Sequence, residues 1–128
     1  MLLILKFLPN FILAVLAILT ILGGRPYFFV NELTAIYGTD LTSIDDLSIA
    51  LLQHRGIMVS VIGFLLIPSI FNNEFGKIAI PMVIFSKVAF VVKLFPFIGQ
   101  VGSVYFDIVA IILLVFVYSV KYFFKPTK

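Results

Sequence analysis

Four apolar stretches, each near the length that carries a helix across a bilayer, alternate with short polar segments along this chain. A helix rises about 1.5 Å per residue, so some 20 apolar residues suffice for one crossing. The first stretch, 2–22, is interrupted by Lys6, Pro9 and Asn10 and stops at Gly23-Gly24-Arg25-Pro26, because two glycines followed by a proline do not continue a helix. A cleaved signal peptide is the competing reading. It is the weaker one, since no small-x-small motif precedes Arg25 and no basic cluster precedes Leu2.

The longest polar segment, 23–46, follows. Within it Phe29, Leu33, Ile36 and Tyr37 fall at helical spacing and Gly38 is placed to end a turn, which predicts a short interfacial helix. Tyr27 and Tyr37 suit the headgroup level, where an apolar ring and a polar tip are both accommodated. Ser43 and Asp46 resemble a capping box, so the second span is expected from about Ile44 to Phe71. Asn72, Asn73, Glu74 and Gly76 read as a tight turn that makes spans two and three antiparallel. The third span is expected over 75–95, with Pro81 near its start and Pro96 closing it, and the fourth from Phe97 or Ile98 to about Phe124. Gly56, Ser60 and Gly63 form a small-residue stripe on span two that lets a neighbouring helix come close.

Composition then sets the solvent. At 62% hydrophobic and 12% charged residues, with a mean hydropathy of +1.24, the chain lies far from a soluble domain, in which about a quarter of residues are charged. The expected fold is therefore all-α: an integral membrane four-helix bundle with a short interfacial helix in its first loop, residues 1–128 forming one domain. The chain has no cysteine, which excludes disulfides, thiolate metal sites and thiol nucleophiles. Its net charge of +3 comes largely from Lys77, Lys121, Lys125 and Lys128, at helix ends or in the tail. That pattern speaks to topology, not to nucleic acid. The first loop is acidic and holds only Arg25, so both termini are expected on the cytoplasmic side of a cytoplasmic (inner) membrane, with a multi-pass chain and the first loop outside.

Candidate chemistry lies in the charges that interrupt the spans. Asp107 falls within the apolar run 101–120 and Lys87 within the preceding one; hydrocarbon tolerates neither alone. Each is expected roughly 15 Å from its membrane face by the helical rise, so the two should pair near the midplane. His54 and Arg55 reach a similar depth on span two, and Gln53, Ser86, Lys93, Gln100, Ser103 and Tyr105 add hydrogen-bonding groups. Together they predict a polar pocket opening outward, with His54, Arg55, Lys87, Gln100, Tyr105 and Asp107 as its ligand-binding candidates. Its cationic excess favours an anionic or amphipathic ligand, and Arg55 is the side chain suited to forked recognition of a carboxylate or phosphate. Structural roles stand beside these: Arg55 and Lys93 reaching to headgroups, His54 as a neutral hydrogen-bonding partner, and the Lys87–Asp107 pair fixing helix register.

No nucleophile elbow, paired-histidine zinc motif, phosphate loop or dinucleotide fingerprint is present, so no enzyme activity, metal or cofactor is expected. The lone histidine cannot supply a two-histidine haem site within one chain. The order of parts resembles the DoxX-like four-helix membrane proteins: a first span, an outer segment with a short helix, then Arg55-Gly56-Ile57, Gly63 and Leu65-Leu66 in a glycine-spaced second span. The resemblance implies the bundle fold, a role for Arg55, and for some members association with quinone-linked oxidoreductase complexes. Two function classes follow. One is a binding or accessory membrane protein, holding a lipid-like, quinone-like or anionic small molecule or docking on a membrane partner or a second copy. The other is a small proton-coupled transporter using the Lys87–Asp107 pair.

Overall fold

The computed structural model describes residues 2–38, 40–99 and 101–123. It is all-α, with four helices long and apolar enough to cross a membrane. In chain order these are α1 (Leu2–Leu22), the short α2 (Glu32–Tyr37), α3 (Asp46–Phe71), α4 (Asn73–Leu94) and α5 (Ser103–Tyr118), the last widening into a π-helical turn over Ser119–Phe123. The chain is thus a small polytopic membrane protein by helix length and hydropathy. Phe11, Phe64, Phe85 and Ile112 are among the many large apolar side chains left exposed on the outer faces, the surface that a bilayer covers.

Three boundaries differ from the sequence reading. Asp45, not Ser43, caps α3: its Oδ1 accepts from Ser48 N at 3.0 Å, the arrangement that satisfies a free first-turn N–H. Ser43 is occupied elsewhere, donating to the Asp40 carbonyl at 2.9 Å, while Asp40 Oδ1 accepts from Thr42 N and Oγ1. These bonds hold the Asp40 and Asp45 carboxyls below the usual aspartate value. The turn between α3 and α4 is shorter than expected, because Asn72 alone reverses the chain and accepts from Phe75 N at 3.1 Å. Helix α5 starts at Ser103, later than Phe97. Pro96 sits in a 3-10 turn (Phe95–Phe97), and Gly99 and Gly102 follow before regular helix resumes.

The short helix α2 ends as predicted at Gly38, whose φ of 65° is open to glycine without strain. The long helices form a ring in which α1 packs on α3, α3 on α4, α4 on α5, and α5 less extensively back on α1. Two apolar clusters fill the ring. One, around Leu13, Leu66, Ile80 and Leu114, closes the half towards the α3–α4 turn; the other, around Leu33, Tyr37, Val101 and Val104, lies under α2.

The α1–α3 contact is the closest in the molecule and explains the small-residue stripe. Ser60 Oγ donates to the Ile21 carbonyl at 2.7 Å. A Cβ added at Gly63 would stand 2.8 Å from Ile21 N and 2.9 Å from the Ala17 carbonyl, backbone atoms that cannot swing aside. At the far end, Lys121 Nζ donates to Asn10 Oδ1 and to the Ser69 carbonyl at 2.8 and 3.2 Å, and Tyr122 donates to the Asn73 carbonyl. Lys121 is thus tied into the bundle instead of standing free in the tail.

Gly63→Ala is expected to destabilise the bundle by roughly 1–3 kcal/mol, the usual range for overpacking. Gly99→Ala, with nothing within 4 Å of the new methyl, should leave the detergent melting curve unchanged. Equal curves for the two variants would disprove the close-approach account.

Candidate functional site

The buried ion pair anticipated from the sequence is present: Lys87 Nζ donates to Asp107 Oδ1 at 2.7 Å, with side chains 6% and 12% exposed. Its depth differs from the expectation. Because α5 begins at Ser103, Asp107 lies only roughly 6 Å along it, and Lys87 lies roughly 10 Å from the Leu94 end of α4 by the same rise. Arg55 is roughly 14 Å into α3. All three belong to the half of the bundle adjoining α2. The pair sits at the seam of the two apolar clusters, with Val83 and Ala110 on one side and Val91 and Val104 on the other.

Around this seam the helices part into a cavity of two lobes. One, about 310 Å³, lies between α1, α2 and α5 and is walled by Thr20, Ile36, Tyr37, Ser103 and Phe106. The other, about 640 Å³, lies between α3 and α4 and is walled by Leu52, Met58, Ile62, Ser86, Ala89 and Leu94. Thr20, Tyr37, Arg55, Val59, Lys87, Phe90 and Asp107 border both. The volumes fall in the range of small-molecule sites.

Arg55 is held by rings, not by an acid. Its guanidinium carbon lies 4.0 Å from the Phe90 centroid and 5.7 Å from that of Tyr37, a cation–π arrangement. Among the described residues no carboxylate comes within 4 Å of it. Burial pushes the Tyr37 hydroxyl above the ordinary tyrosine value, and the adjacent Arg55 charge pulls partly the other way, so at neutral pH this phenol is a neutral donor and acceptor. Two further hydroxyls face the cavity without a partner: Thr20 Oγ1, on a residue 1% exposed, and Ser103 Oγ. Unpaired buried polar atoms are rare and costly, so each calls for an explanation. At the rim, Arg25 pairs with Glu32 at 3.3 Å.

Of the sequence candidates, the fold gathers Arg55, Lys87 and Asp107. His54 and Tyr105 are exposed and do not wall the cavity, because one step along a helix turns a side chain by about 100°. Gln100 lies outside the described residues. Lys93 borders the α3–α4 lobe from an exposed position. Ser86 and Ser103, expected as hydrogen-bonding groups of the pocket, do line it, whereas Thr20, Tyr37 and Phe90 were not anticipated there. Thr20 had a visible signal, a hydroxyl within the apolar first span; Phe90 had none, since an aromatic ring on an apolar helix is unremarkable until its neighbour is known. The described residues contain no cluster of three His, Asp or Glu side chains able to hold a metal.

In comparisons with known proteins, no family model, curated protein or solved structure matches this chain. The resemblance to DoxX-like proteins gains no support from them.

Asp107→Asn leaves a buried lysine without its acid and is expected to cost roughly 3–5 kcal/mol. The double variant Lys87→Met/Asp107→Leu, with no charge left to satisfy, should recover all but about 1 kcal/mol. Unfolding in mixed micelles checks both; a double variant no more stable than the single would show that the pair does more than neutralise itself.

Proposed function

We propose that this protein is a membrane binding or accessory protein whose bundle holds an amphiphile in the two-lobed cavity, headgroup inward. The single observation that carries the reading is Arg55: a guanidinium within the bundle, stacked on Phe90 and, among the described residues, without a carboxylate partner, beside two hydroxyls that lack hydrogen-bond partners. Arg55 offers a planar fork of donors to an anionic or strongly accepting head, and Thr20, Ser103 and Tyr37 supply hydroxyls around it. An acidic headgroup accounts for all these groups at once. The charge pattern of the loops supports an orientation in a cytoplasmic membrane with the cavity mouth outside and both termini inside.

Proton-coupled transport is the second reading, because Lys87 and Asp107 border both lobes. Holding is favoured over passage by the apolar cluster of Leu13, Leu66, Ile80 and Leu114, which fills the other half of the bundle.

Native mass spectrometry of gently extracted protein is expected to show a bound acidic amphiphile. Arg55→Met should lower its occupancy roughly tenfold or more, since a hydrogen bond to a charged group contributes about 1.5–3 kcal/mol. Occupancy unaffected by Arg55→Met would refute the reading.

A further inference from the structure

Resting on that binding reading, we infer that the ligand is a monoanionic, single-chain amphiphile, a long-chain carboxylate, whose alkyl tail leaves the bundle sideways between α3 and α4. Charge limits the headgroup to a single negative charge. Arg55 and Lys87 face the cavity as cations and Asp107 as an anion, leaving one positive charge; Arg25 at the rim is matched by Glu32, and Lys93 is exposed. One carboxylate neutralises the site. A phosphate monoester near its second ionisation leaves surplus negative charge in surroundings where an unmatched charge is expensive.

A carboxylate also matches the available donors. It accepts a forked pair of bonds from a guanidinium and has lone pairs to spare for hydroxyls, and Thr20 Oγ1 and Ser103 Oγ are the hydroxyls still to be satisfied. The route of the tail follows from the linings. Thr20 and Val59 line both lobes; the lobe between α1, α2 and α5 adds Arg25 and Ser103, whereas the lobe between α3 and α4 adds Leu52, Met58, Ile62, Ala89 and Leu94 beside Ser86 and Lys93. Met58 is 47% exposed at that gap and Ala89 is exposed across from it, so this wall meets the lipid. A tail laid along Leu52, Met58, Ile62, Ala89 and Leu94 meets mainly apolar groups, and the ligand exchanges with the bilayer instead of with water.

The chain contains no tryptophan, so a single introduced indole reports alone. Met58→Trp places it at the gap; Val115→Trp, on α5 and similarly exposed at 49%, reports ordinary lipid contact. Both proteins are set in phosphatidylcholine nanodiscs and titrated with dibrominated stearate, whose bromines quench indole on contact. The expected result is saturable quenching of Met58→Trp at about one equivalent, weakened at least about tenfold by Arg55→Gln, a loss of roughly 1.4 kcal/mol or more. Val115→Trp should show only gradual, non-saturating quenching. The methyl ester, with no charge, should behave gradually at both sites. Ala89→Trp, on the facing wall, repeats the test should Met58→Trp not assemble.

Identical curves at Met58 and Val115, or saturable binding of the methyl ester, overturn the inference. Arg55-dependent saturation by a brominated two-chain phosphatidylglycerol or by an alkyl phosphate, where stearate gives none, also overturns it while leaving the broader binding reading intact. Loss of every Arg55-dependent signal, with no acidic adduct in the mass spectrum, removes both.

Discussion

A lysine ammonium and an aspartate carboxylate, 2.7 Å apart inside an apolar bundle, set the terms for everything else in this molecule. Neither charge can face hydrocarbon alone without a large penalty, so α4 and α5 must present these two faces to each other. Their rotation about their own axes is thereby settled, and with it which apolar side chains turn inward. Val83 and Ala110 join the cluster towards the α3–α4 turn, while Val91 and Val104 join the one beneath α2. The pair is the seam between two cores. Burial of this kind contributes more to register than to net stability, because desolvation offsets much of the attraction.

The other half of the ring is held by a different force. In lipid, helices gain little from hiding apolar surface, and association depends on close packing and hydrogen bonds. Gly24, Gly56, Ser60 and Gly63 meet these needs, bringing α1 and α3 into backbone contact, with Ser60 bonded to the Ile21 carbonyl. The α1–α3 contact is the most extensive in the ring. Lys121, Asn10 and the Ser69 carbonyl tie α1, α3 and the end of α5 together at one end, and α3 packs on α4 to complete the ring. The cavity lies in the half of the bundle beneath α2, whose Leu33 and Tyr37 are packed inward.

Much of this was legible in the order of residues. Hydrophobic runs of spanning length imply helices because backbone groups in hydrocarbon must be satisfied within their own segment, and a lysine and an aspartate on consecutive antiparallel spans have few other partners. The acidic loop, the Gly38 stop and the small-residue stripe are likewise local signals with local causes. Depth was not legible. The expectation of a midplane pair assumed that α5 begins at Phe97, whereas the 3-10 turn at Pro96 and the glycines after it delay the helix to Ser103 and draw Asp107 towards the α2 end.

What the sequence by itself determined is the solvent, the number of spans and the obligation of Lys87 to meet Asp107, since these follow from hydropathy and the cost of an isolated charge. Which of two adjacent residues faces the cavity, Arg55 or His54, is a matter of helix rotation, and rotation is set by contacts between helices far apart in the chain. For the same reason only the tertiary structure could set Arg55 on the ring of Phe90 without an acid, and leave the hydroxyls of Thr20 and Ser103 facing one space with no partner.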